Sequence, residues 1–233
     1  MSDFGIAGEG VTDNITLENI ILGVYHHVED LDEDEISYLQ PLQDATDEDG
    51  QGGWTRLLTY LENKRFRDDV VNNSHLVIQI DTDVAEEPGF DVQLTDDKNR
   101  ILPVEDIVKN VKARLIRQIE SGKEGFYDEH DKRIIFAISV HSLECWLFSL
   151  YNKLPKENGR VIQCEANLAR LLQKDKKTDK FVSKGMMKKN HTVYDTLSSP
   201  FYKKRGAKIA DVCKVDISFR LFIEDLRNID YPE

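Results

Sequence analysis

Five carboxylates stand where they could do chemistry together. The stretch FGIAGEGVTD (Phe4–Asp13) closes a short apolar run with Gly8, Glu9 and Gly10, and Asp13 follows three residues later. HLVIQIDTDV (His75–Val84) ends another apolar run in Asp81 and Asp83. SVHSLECWLFSLY (Ser139–Tyr151) places Glu144 just behind a third. Asp81 and Asp83 are two residues apart, so an extended backbone points both the same way. Like charges held so close repel unless a hard cation sits among them. Mg2+ (or Mn2+) suits such a set, because Mg2+ takes oxygen ligands and keeps waters that substrate phosphates can replace. Any one of these acids taken alone reads equally well as a helix cap or a surface group. Three sets, each behind an apolar run, argue for a shared task.

The elements that must position them follow from periodicity. Phe4–Ala7, Ile36–Leu42, His75–Val84 and Arg133–Val140 read as strands, and the third and fourth are nearly continuous apolar runs, as in strands covered on both faces. A helix is expected from Thr12, its N-cap, with Ile15, Leu17, Ile20, Ile21 and Val24 as its stripe. Further helices are expected over Trp54–Leu61, over Val104–Ser121 with Gly122 as stop, and over LECWLFSLY with Ser142 as cap. The alternation implies right-handed crossovers and an α/β fold with a mainly parallel sheet. Ligands of such sheets gather at the carboxyl ends of the strands, which is where the acids fall. Beyond about Pro155 the pattern is helical and basic without a strand. The expected division is an α/β domain over 1–152 and a basic helical extension over 153–233 packed on it.

Charge is divided the same way. The net charge is -12, yet Met1–Ser149 holds 13 Lys and Arg against 32 Asp and Glu, while Leu150–Lys214 holds 16 against 6. The second segment suits a polyanion such as DNA or RNA, or else is a solvated lysine-rich surface. No apolar run approaches the roughly 20 residues that span a bilayer, so no membrane partner is expected. Asp3 near the start and the lack of a basic flank argue against a signal peptide. Cys145, Cys164 and Cys213 are odd in number and form no CxxC, and are expected as buried thiols in a cytoplasmic protein. His26, His27 and His130 lack zinc-site spacing, and His141 reads as structural. Trp146 reads as core. AGEGVTD lacks the Gly-Lys-Thr ending of a phosphate-binding P-loop.

GEGVTD before an amphipathic helix, with an apolar strand ending in DTD, resembles the two-part signature of the Toprim domain over roughly Phe4–Tyr151. That domain occurs in topoisomerases, primases, recombination proteins and OLD-type nucleases. SVHSLECWLFSLY and FYKKRGAKIA are similar to a narrower group of small bacterial Toprim-related proteins. The resemblance implies a Toprim-like sheet and a Mg2+-dependent nuclease, with one or two ions, in bacterial defence against phage. Glu9 would be general acid/base or metal ligand, Asp81 and Asp83 would bind metal, and Glu144 would complete a two-metal set. Asp13 would be a further ligand or simply begin the helix. Gly8 and Gly10 would let backbone approach a phosphate. Lys203, Lys204, Arg205 and Lys208 would contact nucleic acid, Lys204 fitting best as the lysine that offsets charge on the pentavalent phosphate. A separate ATPase or regulatory protein would be a partner. Two other functions stay open: a phosphatase forming an aspartyl phosphate on DTD, and a non-catalytic binding module.

Overall fold

A computed structural model describes residues 2–28, 31–41, 53–152 and 163–231. Four strands, β1 (Phe4–Ala7), β2 (Ile36–Gln40), β3 (His75–Asp81) and β4 (Ile134–Ser139), form one sheet in the order β2-β1-β3-β4. All three pairings are parallel. Helices cover both faces, so the α/β class expected from the sequence is present, in an arrangement consistent with a Toprim-like fold.

Alternate residues of each strand serve opposite layers. Leu76, Ile78 and Ile80 face one way, onto α2 (Trp54–Glu62), α3 (Lys64–Asn72), α4 (Val104–Gly122) and α5 (Phe126–His130). Phe4, Ile6, Val77 and Ile135 face the other. There they meet α1 (Val11–Val24), α6 (Glu144–Tyr151), α7 (Cys164–Leu172), α8 (His191–Ser198), α9 (Ala207–Cys213) and α10 (Ile217–Arg227). The basic C-terminal residues therefore complete a layer of the sheet's own core. Trp146 is fully buried there, stacked on Phe222 with centroids 5.5 Å apart, and its indole N–H donates to Ser218 Oγ at 2.9 Å.

Several local expectations are corrected. Helix α1 starts at Val11 with Gly10 at its N-cap, and Thr12 lies inside the first turn with its carbonyl accepting from Thr16 Oγ1. Ser142 does not cap α6, whose N-cap is Leu143; its side chain bonds the Glu144 carboxylate. Helix α3 went unforeseen because KRFRDDVVN buries only Phe66 and Val70. The C-terminal segment does contain strands, the two-residue β5 (Val182–Ser183) and β6 (Met186–Met187), paired antiparallel. Leu42 and the acidic loop expected after β2 lie outside the described residues up to Gly53.

The three cysteines are not all thiols. Cys145 and Cys164 are joined in a disulfide that ties the first turn of α6 to the start of α7, and Cys213 is free, its thiol pushed up by burial. The bridge closes a loop of 19 residues. Closing a loop of that size stabilises the folded state by about 3 kcal/mol through the entropy of the unfolded chain. Urea denaturation of the oxidised protein should therefore give a stability about 3 kcal/mol above that of the fully reduced protein. Equal stabilities would contradict the pairing.

Candidate functional site

The chain leaves β1 toward β2 on one side and returns to β3 on the other, so the strand order reverses between the parallel β1 and β3. Crevices at such switch points, beyond the carboxyl ends of the strands, are where open α/β sheets bind ligands. Register fixes what meets there. Ala7 pairs with Ile78, so Glu9, two residues on, comes level with the end of β3. Its Oε1 accepts the Asp81 N–H at 2.7 Å, and its own N–H donates to Gln79 Oε1 at 3.3 Å. Gln79 Nε2 donates to Asp81 Oδ1 at 2.8 Å, and the Leu143 N–H donates to the same oxygen at 3.0 Å. Three strand ends are thus laced together through one buried glutamine, Gln79. The sequence hid this residue inside an apolar run.

Gly8 is required by close approach. A Cβ there would stand 2.6 Å from Asn14 Oδ1 and 3.3 Å from Gln79 Oε1. Asn14 is fully buried; its Nδ2 donates to the carbonyls of Gln40 and Pro41, and its Oδ1 has no hydrogen-bond partner. Gly10 is extended, with φ -147°, and a Cβ on it would meet Asp13 Oδ2 at 3.3 Å.

The acids crowd one another in a recessed crevice, where Glu144 is buried, Glu9, Asp13 and Asp81 are half-buried and Asp83 is exposed. Burial pushes Glu9 up to about 7, with the charges of Asp83 and Glu144 adding to the rise and the Asp81 and Trp54 amides opposing it. Asp13 is held well above the usual carboxylate range by burial and then by Glu144 and Glu9. Asp81 is raised likewise, by burial and then by Asp13, Glu9, Glu144 and Asp83. Burial raises Asp83 too, against His141 and Lys189. Glu144 alone ends below its ordinary value. Burial pushes it up, but Lys189, the Tyr194 hydroxyl and the Ser142 side chain together overcome that. Tyr194 donates to Glu144 Oε1 at 2.6 Å, and Lys189 Nζ lies 3.5 Å from Glu144 and 3.2 Å from Glu165. A cavity of about 430 Å³ opens onto this group, lined by Asp81, Asp83, Glu144, Glu165, Gly185 and Lys189.

All five predicted acids therefore lie within electrostatic reach of one another. The predicted basic residues do not join them. Gly206 packs against the Gly23 carbonyl, at the far end of α1 from Asp13. Ten helical residues at about 1.5 Å each put that loop some ~15 Å away along α1. There Lys203 donates to Ser199 Oγ, Lys208 pairs with Asp211, and Lys204 and Arg205 are exposed with φ of 54° and 58°. The lysine that does lie beside the acids is Lys189.

No family model, curated protein or solved structure matches the chain. The site must be judged on its own chemistry. Its donors are carboxylate oxygens, which suit Mg2+ or Mn2+ rather than zinc. Among the described residues, no three His, Cys, Asp or Glu side chains are already gathered into a grip on one ion. The donor chemistry nevertheless fits a hydrated hard cation. Asp81 gives Oδ1 to the Leu143 amide and to Gln79 and has a second oxygen, Asp83 and Glu144 line the same cavity, and Mg2+ needs only one or two carboxylates besides its waters.

Burial first, and repulsion from the neighbouring acids after it, disfavours the charged forms of Glu9 and Asp81, so neutralising one should stabilise the protein. Asp81→Asn and Glu9→Gln, which keep the accepting oxygen, are expected to raise Tm by about 2–4 °C in EDTA, the shift for roughly 1 kcal/mol in a chain this long. Mg2+ is expected to raise the Tm of the unaltered protein, and Asp81→Asn should lose most of that increase. A calorimetric scan in which both variants melt lower and Asp81→Asn still responds fully to Mg2+ would contradict this account.

Proposed function

We propose that the protein is a metal-dependent phosphodiester hydrolase, a nuclease acting on DNA or RNA with Mg2+ or Mn2+. The observation that carries the reading is the convergence of Glu9, Asp13, Asp81, Asp83 and Glu144 at the switch point of the sheet, with one lysine, Lys189, at their rim. The Toprim resemblance of GEGVTD and DTD supports it. Asp81, Asp83 and Glu144 would hold the cation, which when bound supplies Lewis-acid polarisation of the phosphoryl oxygens. Glu9, poised near pH 7, exchanges a proton with the attacking water or the leaving oxygen. Lys189 offsets the charge that builds on the phosphorus oxygens. The Asp81 amide fixes the Glu9 carboxylate in place, while Gln79 accepts the Glu9 backbone N–H.

The aspartyl-phosphate alternative is less well supported. Asp81 Oδ1 already accepts two hydrogen bonds, and the neighbouring acids would repel a phosphate dianion from the nucleophile.

A panel of supercoiled DNA, single-stranded DNA, structured RNA and tRNA should show cleavage with Mg2+ or Mn2+ and none in EDTA. Glu9→Gln and Asp81→Asn should lower the rate by about 10²–10³-fold, the range for loss of one acid/base or electrostatic group. Cleavage that persists in EDTA, or in both variants, would overturn the assignment. Phosphate release from small phosphoesters without strand cleavage would transfer it to the phosphatase.

A further inference from the structure

The cavity above the carboxylates has a wall with its own chemistry. It is the hairpin β5–β6, whose corner residues Lys184 and Gly185 have φ of 50° and 79°. Positive φ at both corners is what tight two-residue hairpins demand. The base of the hairpin is fastened. Met187 and Phe181 are buried in the main core, the Lys188 N–H donates to the Phe181 carbonyl at 3.0 Å, and Lys188 Nζ donates to the Lys180 carbonyl at 2.7 Å. The tip is open. A Cβ on Gly185 would meet nothing within 4 Å, and Met186 is 61% exposed. Gly185 and Met186 line the same cavity as Asp81, Asp83 and Glu144.

Around this tip lie exposed lysines. Lys184 sits at its corner and Lys188 at its base, and Lys174, Lys176, Lys177 and Lys180 run on from the end of α7, which packs on β6. Among the described residues none of the six is in an ion pair, whereas Lys189, Lys208 and Lys214 are. Asp175 and Asp179 are interspersed, and Asp175 is occupied in receiving the Lys177 N–H. An apolar thioether beside unpaired cations matches the two faces of a nucleic-acid strand: base rings, on which sulfur packs well, and phosphates.

We propose that the β5–β6 hairpin and the lysines leading from α7 form a binding surface for single-stranded nucleic acid, which guides one strand into the carboxylate cavity. This rests on the nuclease reading for what happens at the cavity floor, but not for binding. Single strand is favoured over duplex because the cavity is narrow and its acids are recessed to different depths, Asp83 exposed, Asp81 half-buried and Glu144 buried. Glu144 is 6% exposed, and the cavity of about 430 Å³ is of small-molecule size. A flexible strand can lower a phosphate into such a space; a rigid duplex carries its phosphates on the outside of a rod. The loop Lys203–Lys208 plays no part in this surface.

The test is binding in EDTA, where no cleavage occurs, read by fluorescence anisotropy with labelled oligo-dT, oligo-rU and a blunt hairpin duplex. Both single strands, or whichever one the pocket accepts, should bind at least 10-fold tighter than the duplex. Lys184→Glu with Lys188→Glu, and separately Lys176→Glu with Lys177→Glu, should each weaken binding 10-fold or more. Neutralising two phosphate contacts should also lower the slope of log K against log salt by about 1.4. Lys204→Glu with Arg205→Glu should change neither. Melting curves check that the variants are folded, and the second pair, on an exposed turn, covers the case in which the first disturbs the hairpin. Equal or tighter duplex binding, no binding at all, or loss confined to the Lys204 and Arg205 variant would overturn the proposal. Tight strand binding with no cleavage on adding Mg2+ would leave this surface standing and overturn the nuclease reading alone.

Discussion

The repulsion among five carboxylates brought to one sheet edge is the constraint from which the rest of this structure can be understood. Charge taken out of water is expensive, and several like charges together are more so. The protein relieves this in three ways. Burial holds Glu9, Asp13 and Asp81 partly or wholly toward their neutral forms. Backbone amides are turned toward the acids, those of Asp81 and Trp54 onto Glu9 and that of Leu143 onto Asp81. A lysine and a tyrosine from the distant C-terminal half then keep Glu144 ionised. Glu144 is thus the one acid in the group whose charge the protein itself secures. The other four are all shifted toward their neutral forms.

That division explains why both halves of the chain are needed to make one site. Residues up to Tyr151 supply every acid, the switch point and the glutamine that laces it. Lys189 and Tyr194 arrive only because α8 packs along α1 and because the β5–β6 hairpin ends where it does. Asn19 of α1 reinforces the contact by donating to Ser198 Oγ at 2.7 Å. The strong segregation of charge along the sequence is bridged in space where Lys189 of the basic segment meets Asp81, Asp83 and Glu144 in one cavity.

Much of the sheet was legible because burial on both faces leaves a plain mark. The runs LVIQI and IIFAIS are apolar at nearly every position, and β4 is buried throughout and β3 up to Ile80. Helix α4 could be read because its apolar residues recur on one stripe. Helix α1 was only half legible. Asn14, Thr16, Glu18 and Asn19 are buried as well, since sheet and C-terminal helices enclose it on several sides, and polar residues in that setting look like a solvent face. The site divides similarly. Acids at strand ends are placed by local pattern, so Glu9, Asp81, Asp83 and Glu144 could be named from sequence. Lys189 is one of 16 basic residues in its segment, and only tertiary packing distinguishes it from Lys204. Cys145 and Cys164 carried no spacing signal for the same reason.

The disulfide gives the arrangement a last physical consequence. Glu144 follows Leu143 directly before Cys145, and Glu165 directly follows Cys164. The covalent tie therefore holds together the two carboxylates that share Lys189. A lysine held between two fixed acids has given up much of its rotamer freedom in the folded protein. Glu165 lines the same cavity as Glu144, so the Lys189 ammonium is held at its edge from two sides. The C-terminal half thus delivers one cation to the acids, and the disulfide helps to fix where it stands.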